Sequence, residues 1–306
     1  MQKLLGIVGP TAIGKTALAI KLAQKLDAQI VSGDSMQVYR EVSIGTAKAT
    51  PAEQKQVKHY LVDTQSIFDE YSVKMFVDDA TKAIAKIGQE HHLPMLVGGT
   101  GLYVRALVTD LQLGEQQEVP TGTEAKWEEY LTKYGPTKLW DCLAQQDPAA
   151  AKKIPVQNSR RVMRALSVID RTGKKFSEQQ AEIKPRYDYL LIGLKTEREI
   201  LYERINQRVD QMMDQGLLQE AEFVYHNRQS LHQVRQAIGY KEFFPYFAGT
   251  ADLDSCVTKL KTASRRYAKR QLTYFNNSLP VKWFDPLQDP ACEEKILSEV
   301  AEWLQN

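Results

Sequence analysis

Residues 9–16 match the phosphate-binding pattern G-x-x-x-x-G-K-[ST], here written Gly-Pro-Thr-Ala-Ile-Gly-Lys-Thr. A short apolar run, residues 4–8, precedes this loop, and apolar residues at helical spacing follow it over 17–26. The glycines allow a backbone path that directs successive N–H groups at one anion, and the following helix adds the positive end of its dipole. Lys15 supplies a charge for an outer phosphate, and the Thr16 hydroxyl suits Mg²⁺. The pattern predicts a strand–loop–helix unit that binds a phosphorylated molecule, and it leaves open which molecule that is.

Apolar segments alternate with helical patterns after this loop. Strands are predicted over residues 28–32, 58–63, 93–97 and 187–194, and helices over 72–92, 102–108 and 196–215. Strands that alternate with helices predict a parallel sheet covered on both faces, with ligands at the carboxyl ends of its strands.

The pattern changes in the middle of the chain. Only helical patterns occur from residue 124 to 184, after a polar stretch at 110–123 that is punctuated by Gly and Pro. We therefore predict an α/β fold in which a P-loop parallel sheet carries an all-helical insertion and is followed by a helical C-terminal region. The predicted divisions are residues 1–112 for the first part of the core, 113–185 for the insertion, and 186–306 for the return to the core, a short strand at 281–284 and a basic helical region.

Composition excludes several classes of protein. The chain has 306 residues, of which 43% are hydrophobic and 25% are charged, and no apolar run approaches the roughly 18 residues of a membrane helix. Cys142, Cys256 and Cys292 are far apart and form no C-x-x-C pair, which argues against disulfides and against a zinc site. No secretory signal is visible at the N-terminus. We expect a cytoplasmic monomer.

The net charge is only +2, but the positive charges are clustered. Eight Lys or Arg residues and one acid, Asp170, lie between Lys152 and Lys175, and six Lys or Arg residues without any acid lie between Ser255 and Phe275. Each segment by itself is equally compatible with a solvated helix face. Two such segments on a nearly neutral chain with a phosphate loop favour a polyanionic partner.

Asp34 follows the second predicted strand, within Gly33-Asp34-Ser35-Met36-Gln37. In this architecture a carboxylate there faces the phosphate loop, where it can serve as a general base or as an outer-shell magnesium ligand. The alternative is an aspartate that caps a turn. Three hydrogen-bonding side chains, those of Asp34, Ser35 and Gln37, suit a planar polar substrate.

The strand over 93–97 ends in Gly98-Gly99-Thr100-Gly101, where many P-loop NTPases carry an acidic magnesium ligand. Asp63, after the short apolar run that begins at His59, is the other candidate for such an acid. An NTPase that drives motion usually needs that carboxylate and a water-positioning group. The glycine-rich end therefore favours a transferase over a motor or a switch.

Arg204 and Arg208 are four residues apart, so both side chains leave the same helix face, from which one or both could reach a diphosphate. Ion pairs with Glu199 or Glu203 are the alternative.

Residues 265–275 interleave cations with Tyr267, Tyr274 and Phe275. That pattern suits phosphate contacts and base stacking, or else aromatic residues in the core beneath solvated cations.

Seven motifs in order make the chain resemble the bacterial tRNA dimethylallyltransferases, also called tRNA isopentenyltransferases. These motifs are residues 9–16, Asp-Ser-Met-Gln-Val-Tyr at 34–39, Gly-Thr-Ala-Lys at 45–48, Val-Gly-Gly-Thr-Gly-Leu-Tyr at 97–103, Arg-Val-Met-Arg-Ala-Leu at 161–166, Gln-Ala-Ile-Gly-Tyr at 236–240 and Tyr-Ala-Lys-Arg-Gln at 267–271. The resemblance runs nearly end to end.

The resemblance implies transfer of a dimethylallyl group from dimethylallyl diphosphate to the exocyclic N6 amine of the adenine 3′ of the tRNA anticodon. It implies that a diphosphate is bound by Gly9, Thr11, Ala12, Ile13, Gly14, Lys15, Thr16 and Arg208. It also implies a Mg²⁺ ion that Thr16 faces. It also implies that Asp34 takes the amine proton, that Ser35 and Gln37 contact the adenine, and that Thr100, Lys15 and Arg208 stabilise the departing diphosphate. The implied tRNA contacts are Asp34, Ser35, Met36, Gln37, Thr100, Arg160, Arg161, Arg164, Gln236, Gly239, Tyr240 and Lys241.

This chain departs from the family pattern at a few positions. Ala49 stands where a proline is common, and Tyr274 and Asn276 stand where Trp and Arg are frequent. The last two positions leave a contact with the tRNA backbone in doubt.

Three other functions are compatible with parts of the pattern. A small-molecule kinase of the shikimate or nucleoside type would share the loop, and an adenylate isopentenyltransferase would use a free nucleotide as acceptor. Neither needs two basic segments. A non-enzymatic RNA-binding protein would explain the basic segments and leave Asp34 and Thr100 without a purpose.

Overall fold

The computed structural model describes residues 1–109, 123–178 and 184–306. The chain divides into two compact units, Met1–Asp110 with Pro185–Asn306, and Leu111–Lys184. The predicted boundary between residues 112 and 113 lies outside the described residues, as does most of the polar stretch predicted over 110–123.

The larger unit is built on a six-stranded parallel sheet in the order β3-β2-β4-β1-β5-β6. Its strands are β1 Lys3–Val8, β2 Ala28–Ser32, β3 His59–Tyr60, β4 Leu93–Gly98, β5 Asp188–Leu194 and β6 Lys282–Phe284. Gly6 pairs with Leu96 on one side and with Leu191 on the other, so β1 lies between β4 and β5. The predicted α/β fold with a parallel sheet is confirmed.

The third strand is shorter than the sequence predicts. It ends at Tyr60, because Leu61 and Asp63 have φ angles of +59° and +58°. Positive φ is incompatible with an extended strand, so the chain turns away from the sheet before the end of the predicted segment 58–63.

The helices of the described residues have the following bounds: α1 Lys15–Lys25, α2 Pro51–Gln56, α3 Val73–Gln89, α4 Gly101–Val108, α5 Thr123–Gln146, α6 Pro148–Lys153, α7 Ser159–Thr172, α8 Arg198–Asp214, α9 Leu217–Asn227, α10 Phe244–Phe247, α11 Leu253–Ser278 and α12 Cys292–Gln305. Within these described ranges, no helix is both long enough and apolar enough to cross a membrane.

Helical periodicity explains how these helices cover the sheet. In α3, Phe76, Ala80, Ile84 and Ile87 recur at spacings of three and four residues, and all four are buried. The Ser72 hydroxyl begins this helix by accepting a hydrogen bond from the Met75 N–H. The buried strand residues of β1, such as Leu5 and Ile7, form the core with residues of α1, α8 and α12.

The regular secondary structure in the described residues of the smaller unit is all helical and consists of α5, α6, α7 and a 3₁₀ turn at Phe176–Glu178. α5 is interrupted at Gly135, which has a φ angle of +79° and precedes Pro136. Trp127, Leu139 and Leu166 belong to the separate hydrophobic core of this unit.

Candidate active site

A cavity of about 710 Å³ opens at the carboxyl ends of β1, β2 and β4, and every described residue that lines it belongs to the larger unit. A parallel sheet places its ligands at this edge. The predicted site residues that line the cavity are Thr11, Ala12, Gly14, Lys15, Thr16, Asp34, Ser35, Met36, Gln37, Arg208, Gln236, Gly239 and Lys241. Thirteen predicted residues from four separate segments therefore meet at one cavity.

The other predicted site residues do not line it. Gly9, Ile13, Thr100 and Tyr240 lie in the same unit, behind or beside the lining, and Arg160, Arg161 and Arg164 lie in the smaller unit. Ile13 and Tyr240 are fully buried. Their side chains pack the walls of the cavity, so only their backbone is available to a ligand.

Local backbone geometry forms the phosphate loop between β1 and α1. Gly9 has a φ angle of +147°, and a Cβ atom there would lie 2.6 Å from the carbonyl oxygen of Leu194 on β5. Only glycine satisfies both constraints. Gly14 caps the N-terminus of α1, so the free N–H groups of the first helical turn are directed at the cavity.

The Lys15 ammonium lies in the cavity and donates a hydrogen bond of 2.7 Å to the carbonyl oxygen of Pro10. Burial and the nearby Arg208 lower the pKa of Lys15 to about 7, and Asp34 opposes this change. Among the described residues, the cavity lining has fewer carboxylates, those of Asp34 and Glu53, than cations, those of Lys15, Arg204, Arg208, Lys241 and Arg270, so the site is short of negative charge. An anionic ligand would correct this imbalance.

Asp34 is at the end of β2, and its Oδ1 accepts a hydrogen bond of 2.8 Å from the N–H of Met36. Burial raises the pKa of this carboxyl, although Lys15 and Arg208 act in the opposite direction. The side chain therefore caps its own turn and also lines the cavity. A carboxylate with a raised pKa, held by a turn, is suited to accepting a proton.

The end of β4 has no room for an acidic side chain. A Cβ atom on Gly98 would lie 2.4 Å from the carbonyl oxygen of Gly33, because β2 and β4 converge there. The hydroxyl of Thr100, just beyond, accepts a hydrogen bond of 3.3 Å from the N–H of Ser35 and is also hydrogen-bonded to Tyr267. Thr100 thus connects the Asp34 turn to α11.

Asp63 does not replace the missing acid. Its carboxylate forms a 2.5 Å ion pair with Lys48, and neither residue lines the cavity. The hypothesis that Asp63 supplies a metal-binding carboxylate is wrong. The early end of β3 explains this, because the chain has already turned away at Leu61.

Arg204 and Arg208 both line the cavity, as their spacing allows. Arg204 Nε donates a hydrogen bond of 3.0 Å to the carbonyl oxygen of Ala12 and so holds the phosphate loop. Burial and the neighbouring Arg204 lower the pKa of Arg208. Their spacing alone left open which of the two arginines reaches a diphosphate. In the structure the two side chains have different surroundings.

Sequence reasoning assigned no role to Gln271, which is buried. Its side chain accepts a hydrogen bond of 2.9 Å from the N–H of Thr11 and donates one of 3.0 Å to the carbonyl oxygen of Gly99. It therefore joins the phosphate loop to the end of β4. Its place in the motif at 267–271 is a signal for importance, but no local pattern shows what it contacts.

Tyr267 and Arg270, from the same turn of α11, also line the cavity. Burial and the nearby Asp34 raise the pKa of Tyr267 to about 12, so its hydroxyl keeps its proton at neutral pH. Phe275 is fully buried, and the ring of Tyr274 packs against Gly101. The interpretation of α11 as aromatic residues facing the core beneath exposed cations therefore holds for these two aromatics.

Exposed cations occur in both predicted basic segments. Arg160, Arg161 and Arg164 are exposed on α7 of the smaller unit, and Arg266 and Lys269 are exposed on α11. Asp170, the single acid of the first segment, is engaged with Lys126 at 2.8 Å. Their exposure makes the charges of the α7 arginines accessible to a polyanion.

Oxygen donors for a divalent cation are present at the phosphate loop. Among the residues that the structure describes, no cluster of three or more His, Cys, Asp or Glu side chains could hold a metal. Thr16 on α1 and Asp34 both line the cavity. Mg²⁺ prefers few protein oxygens and the oxygens of a substrate diphosphate, so this donor set fits a cation that arrives with the substrate.

The fold and the cavity define a P-loop α/β protein with a binding site for a phosphorylated ligand. The IPP transferase family model matches residues 37–278. The tRNA dimethylallyltransferase of Lactobacillus helveticus is 67% identical over 303 residues, which cover 99% of each chain. The enzyme of the same name from Latilactobacillus sakei is 47% identical over 307 aligned residues. This chain belongs to the IPP transferase family.

Solved structures agree with this assignment. The full-length tRNA isopentenylpyrophosphate transferase of Bacillus halodurans is 42% identical, with a TM-score of 0.75 over 100% of this chain and 97% of that one. A eukaryotic dimethylallyltransferase acting on tRNA is 28% identical, with a TM-score of 0.79 over 100% of this chain and 80% of the other. The chain therefore shares its fold, as well as its sequence motifs, with these solved proteins.

Proposed function

We propose that this chain transfers the dimethylallyl group of dimethylallyl diphosphate to the exocyclic N6 amine of the adenine 3′ of the anticodon in tRNA, and releases diphosphate. The observation that carries this proposal is the single cavity in which the phosphate loop, with Lys15 and Arg208, faces the Asp34 carboxylate. A site for a departing anion and a proton acceptor lie together there. The names of the relatives supply the chemical identities.

The phosphate loop and its cations stabilise the leaving group. As the bond between the allylic carbon and the diphosphate oxygen breaks, negative charge accumulates on the diphosphate. The N–H groups at the start of α1, Lys15 and Arg208 are already in place for that charge, so little reorganisation is needed. Mg²⁺, held by Thr16 and the diphosphate oxygens, would neutralise part of the same charge.

Asp34 acts on the nucleophile. The N6 lone pair forms the new C–N bond, and the proton that this nitrogen loses passes to the Asp34 carboxylate. An aromatic amine is a poor nucleophile, so most of the acceleration comes from holding it in line with the allylic carbon. Ser35 and Gln37, on the same turn, hold the adenine.

The acceptor adenine has to leave the anticodon stack in order to enter the cavity, and this costs a few kcal/mol. Contacts between phosphates and the exposed cations of α7 and α11 offset that cost. One chain supplies every residue in this scheme, which suits a monomeric enzyme, and a tRNA substrate suits the cytoplasm.

The test incubates the protein with Mg²⁺, labelled dimethylallyl diphosphate and unmodified tRNA, with ATP as a competing donor. We expect label in the tRNA, at the adenine 3′ of the anticodon after nuclease digestion. A tRNA in which that adenine is replaced by guanine is the matched control and should remain unlabelled. Transfer of phosphate from ATP to a small acceptor, without any label in tRNA, would establish a kinase instead.

A further inference from the structure

Glu220, in the first turn of α9, binds three consecutive backbone N–H groups with one carboxylate. Its Oε2 accepts hydrogen bonds from Ser43 at 2.7 Å and from Ile44 at 3.0 Å, and its Oε1 accepts one from Gly45 at 2.9 Å. The Tyr240 hydroxyl donates a further bond of 2.7 Å to Oε1. Successive N–H groups that converge in this way form an anion-binding nest, and here the anion is a side chain of the protein.

The segment held by this carboxylate forms part of the cavity wall. Gly45, which carries the third bound N–H group, lines the cavity together with the two residues that follow it, Thr46 and Ala47. The carbonyl oxygens of Thr46 and Ala47 accept hydrogen bonds of 3.3 and 3.2 Å from Nε2 of Gln37. The position of the Gln37 side chain therefore depends on where residues 43–47 lie.

The same carboxylate ties a second cavity segment to the first. A Cβ atom on Gly45 would lie 2.7 Å from the Tyr240 ring, so the ring packs directly on this backbone. Tyr240 follows Gly239 and precedes Lys241, which both line the cavity. Glu220 thus joins two segments, 43–47 and 239–241, that are far apart in the sequence.

The phosphate loop has no part in this arrangement. Glu220 does not line the cavity, and within residues 1–109, 123–178 and 184–306 its hydrogen-bond partners are Ser43, Ile44, Gly45 and Tyr240. Loss of its carboxylate would disturb the wall next to Gln37 and leave the contacts of Lys15 and Arg204 with the loop intact. Because the two sets of contacts are separate, loss of the Glu220 carboxylate should impair the use of tRNA and leave the binding of dimethylallyl diphosphate unchanged.

We propose that Glu220 is a positioning residue for the acceptor base, and that it acts through residues 43–47 on Gln37 and through Tyr240 on residues 239–241. The proposal rests on the function proposed above, since it assigns the Gln37 side of the cavity to the adenine. The ligand it serves is a planar base bound at the Gln37 side of the cavity, next to these two segments.

The test replaces Glu220 with glutamine, which keeps the size of the side chain but turns one acceptor oxygen into an NH₂ group facing backbone N–H donors. We expect kcat/KM for tRNA to fall about 10- to 100-fold, because small misplacements of a bound reactant have effects of this size. The dissociation constant for dimethylallyl diphosphate should stay within about twofold of the wild-type value. Glu222→Gln, in an exposed pair with His226 on the same helix, is the control and should behave as wild type.

A second variant makes the test independent of the folding of the first. Tyr240→Phe removes only the hydroxyl that donates to Glu220 and keeps the ring on Gly45, so it should show a smaller loss confined to tRNA. Wild-type kcat/KM for tRNA in both variants, or an equal loss of affinity for dimethylallyl diphosphate, would overturn the role of Glu220. A wild-type protein that transfers no label to tRNA would overturn the proposed function itself.

Discussion

Gln271 accepts a hydrogen bond of 2.9 Å from the backbone N–H of Thr11, although 260 residues separate the two in the chain. The same amide group donates to the carbonyl oxygen of Gly99 at 3.0 Å. A helix near the C-terminus thus fixes the phosphate loop relative to the end of β4. The geometry of the site depends on this cross-link as well as on the loop motif.

Gln271→Leu should weaken both stability and catalysis. It leaves the Thr11 N–H and the Gly99 carbonyl without their partner, and each unsatisfied buried group costs about 1–3 kcal/mol. We expect the free energy of unfolding, measured by chemical denaturation, to fall by roughly 2–6 kcal/mol. We expect kcat to fall at least tenfold under conditions where the variant is folded. Gln305→Leu, at the exposed end of α12, is the control. Unchanged kcat in the folded Gln271 variant would show that the cross-link serves stability only.

Asp34→Asn should lower turnover and raise stability. We expect kcat to fall about 10²- to 10⁴-fold through loss of the general base, with affinity for dimethylallyl diphosphate largely retained. Because the pKa of Asp34 is raised in the folded protein, stability falls as pH rises from the ordinary value of 3.8 through that higher pKa. The asparagine variant escapes that loss, so its thermal midpoint at pH 7 should exceed the wild-type value. Asp78→Asn, at an exposed aspartate of α3, should change neither measurement. Wild-type turnover in Asp34→Asn would remove this residue as the base.

Binding of dimethylallyl diphosphate should be coupled to uptake of a proton. In the free protein the pKa of Lys15 is lowered to about 7, and a bound diphosphate raises it because the anion favours the ammonium form. Above pH 7 the free lysine is partly neutral, so binding takes up a proton and affinity declines as pH rises. Calorimetry in buffers of different ionisation enthalpy measures this uptake. Lys15→Arg, which stays charged, should bind without it, and Lys21→Met, exposed on the same helix, should retain it. Equal uptake by Lys15→Arg would assign the proton to another group.

The affinity for tRNA should depend steeply on salt. Replacing Arg161 and Arg164 together with alanine should reduce the slope of log K against log salt concentration by about 1.4–1.8, since each phosphate contact contributes roughly 0.7–0.9. Filter binding between low and moderate salt gives this slope. The double variant Lys25→Ala and Lys295→Ala removes the same number of charges from exposed ion pairs with Glu293 and Asp289 and is the control. An unchanged slope in the arginine variant would place the tRNA elsewhere.

Much of the fold could be predicted because its signals are local. The predicted strand at 187–194 corresponds to β5, Asp188–Leu194, and the predicted helix at 72–92 to α3, Val73–Gln89. Apolar periodicity reports which face of a segment is buried, and it does so without knowledge of the neighbouring segment. The prediction of a strand through Asp63 failed because backbone angles at a turn override an apolar pattern only six residues long.

Less of the candidate site than of the fold could be predicted from local sequence patterns. Asp34 and Lys15 could be predicted to share a cavity, because both follow parallel strands at their carboxyl ends. The separate positions of Arg204 and Arg208, and the inward orientation of Phe275, could not be predicted, because spacing fixes the face of a helix and not the partner that this face meets.

The sequence by itself determined a phosphate loop, a parallel α/β sheet, a glycine where a motor protein needs an acid, and the family of the chain. The loop and the glycine are each encoded within a few consecutive residues, and the sheet and the family follow from the order of several such local signals along the chain. The tertiary structure alone decided that Gln271 holds Thr11, that Glu220 holds residues 43–45, and that Asp63 pairs with Lys48 away from the cavity. Hydrogen bonds between distant segments exist only after the order of the strands has placed those segments side by side, and that order is a property of the whole core.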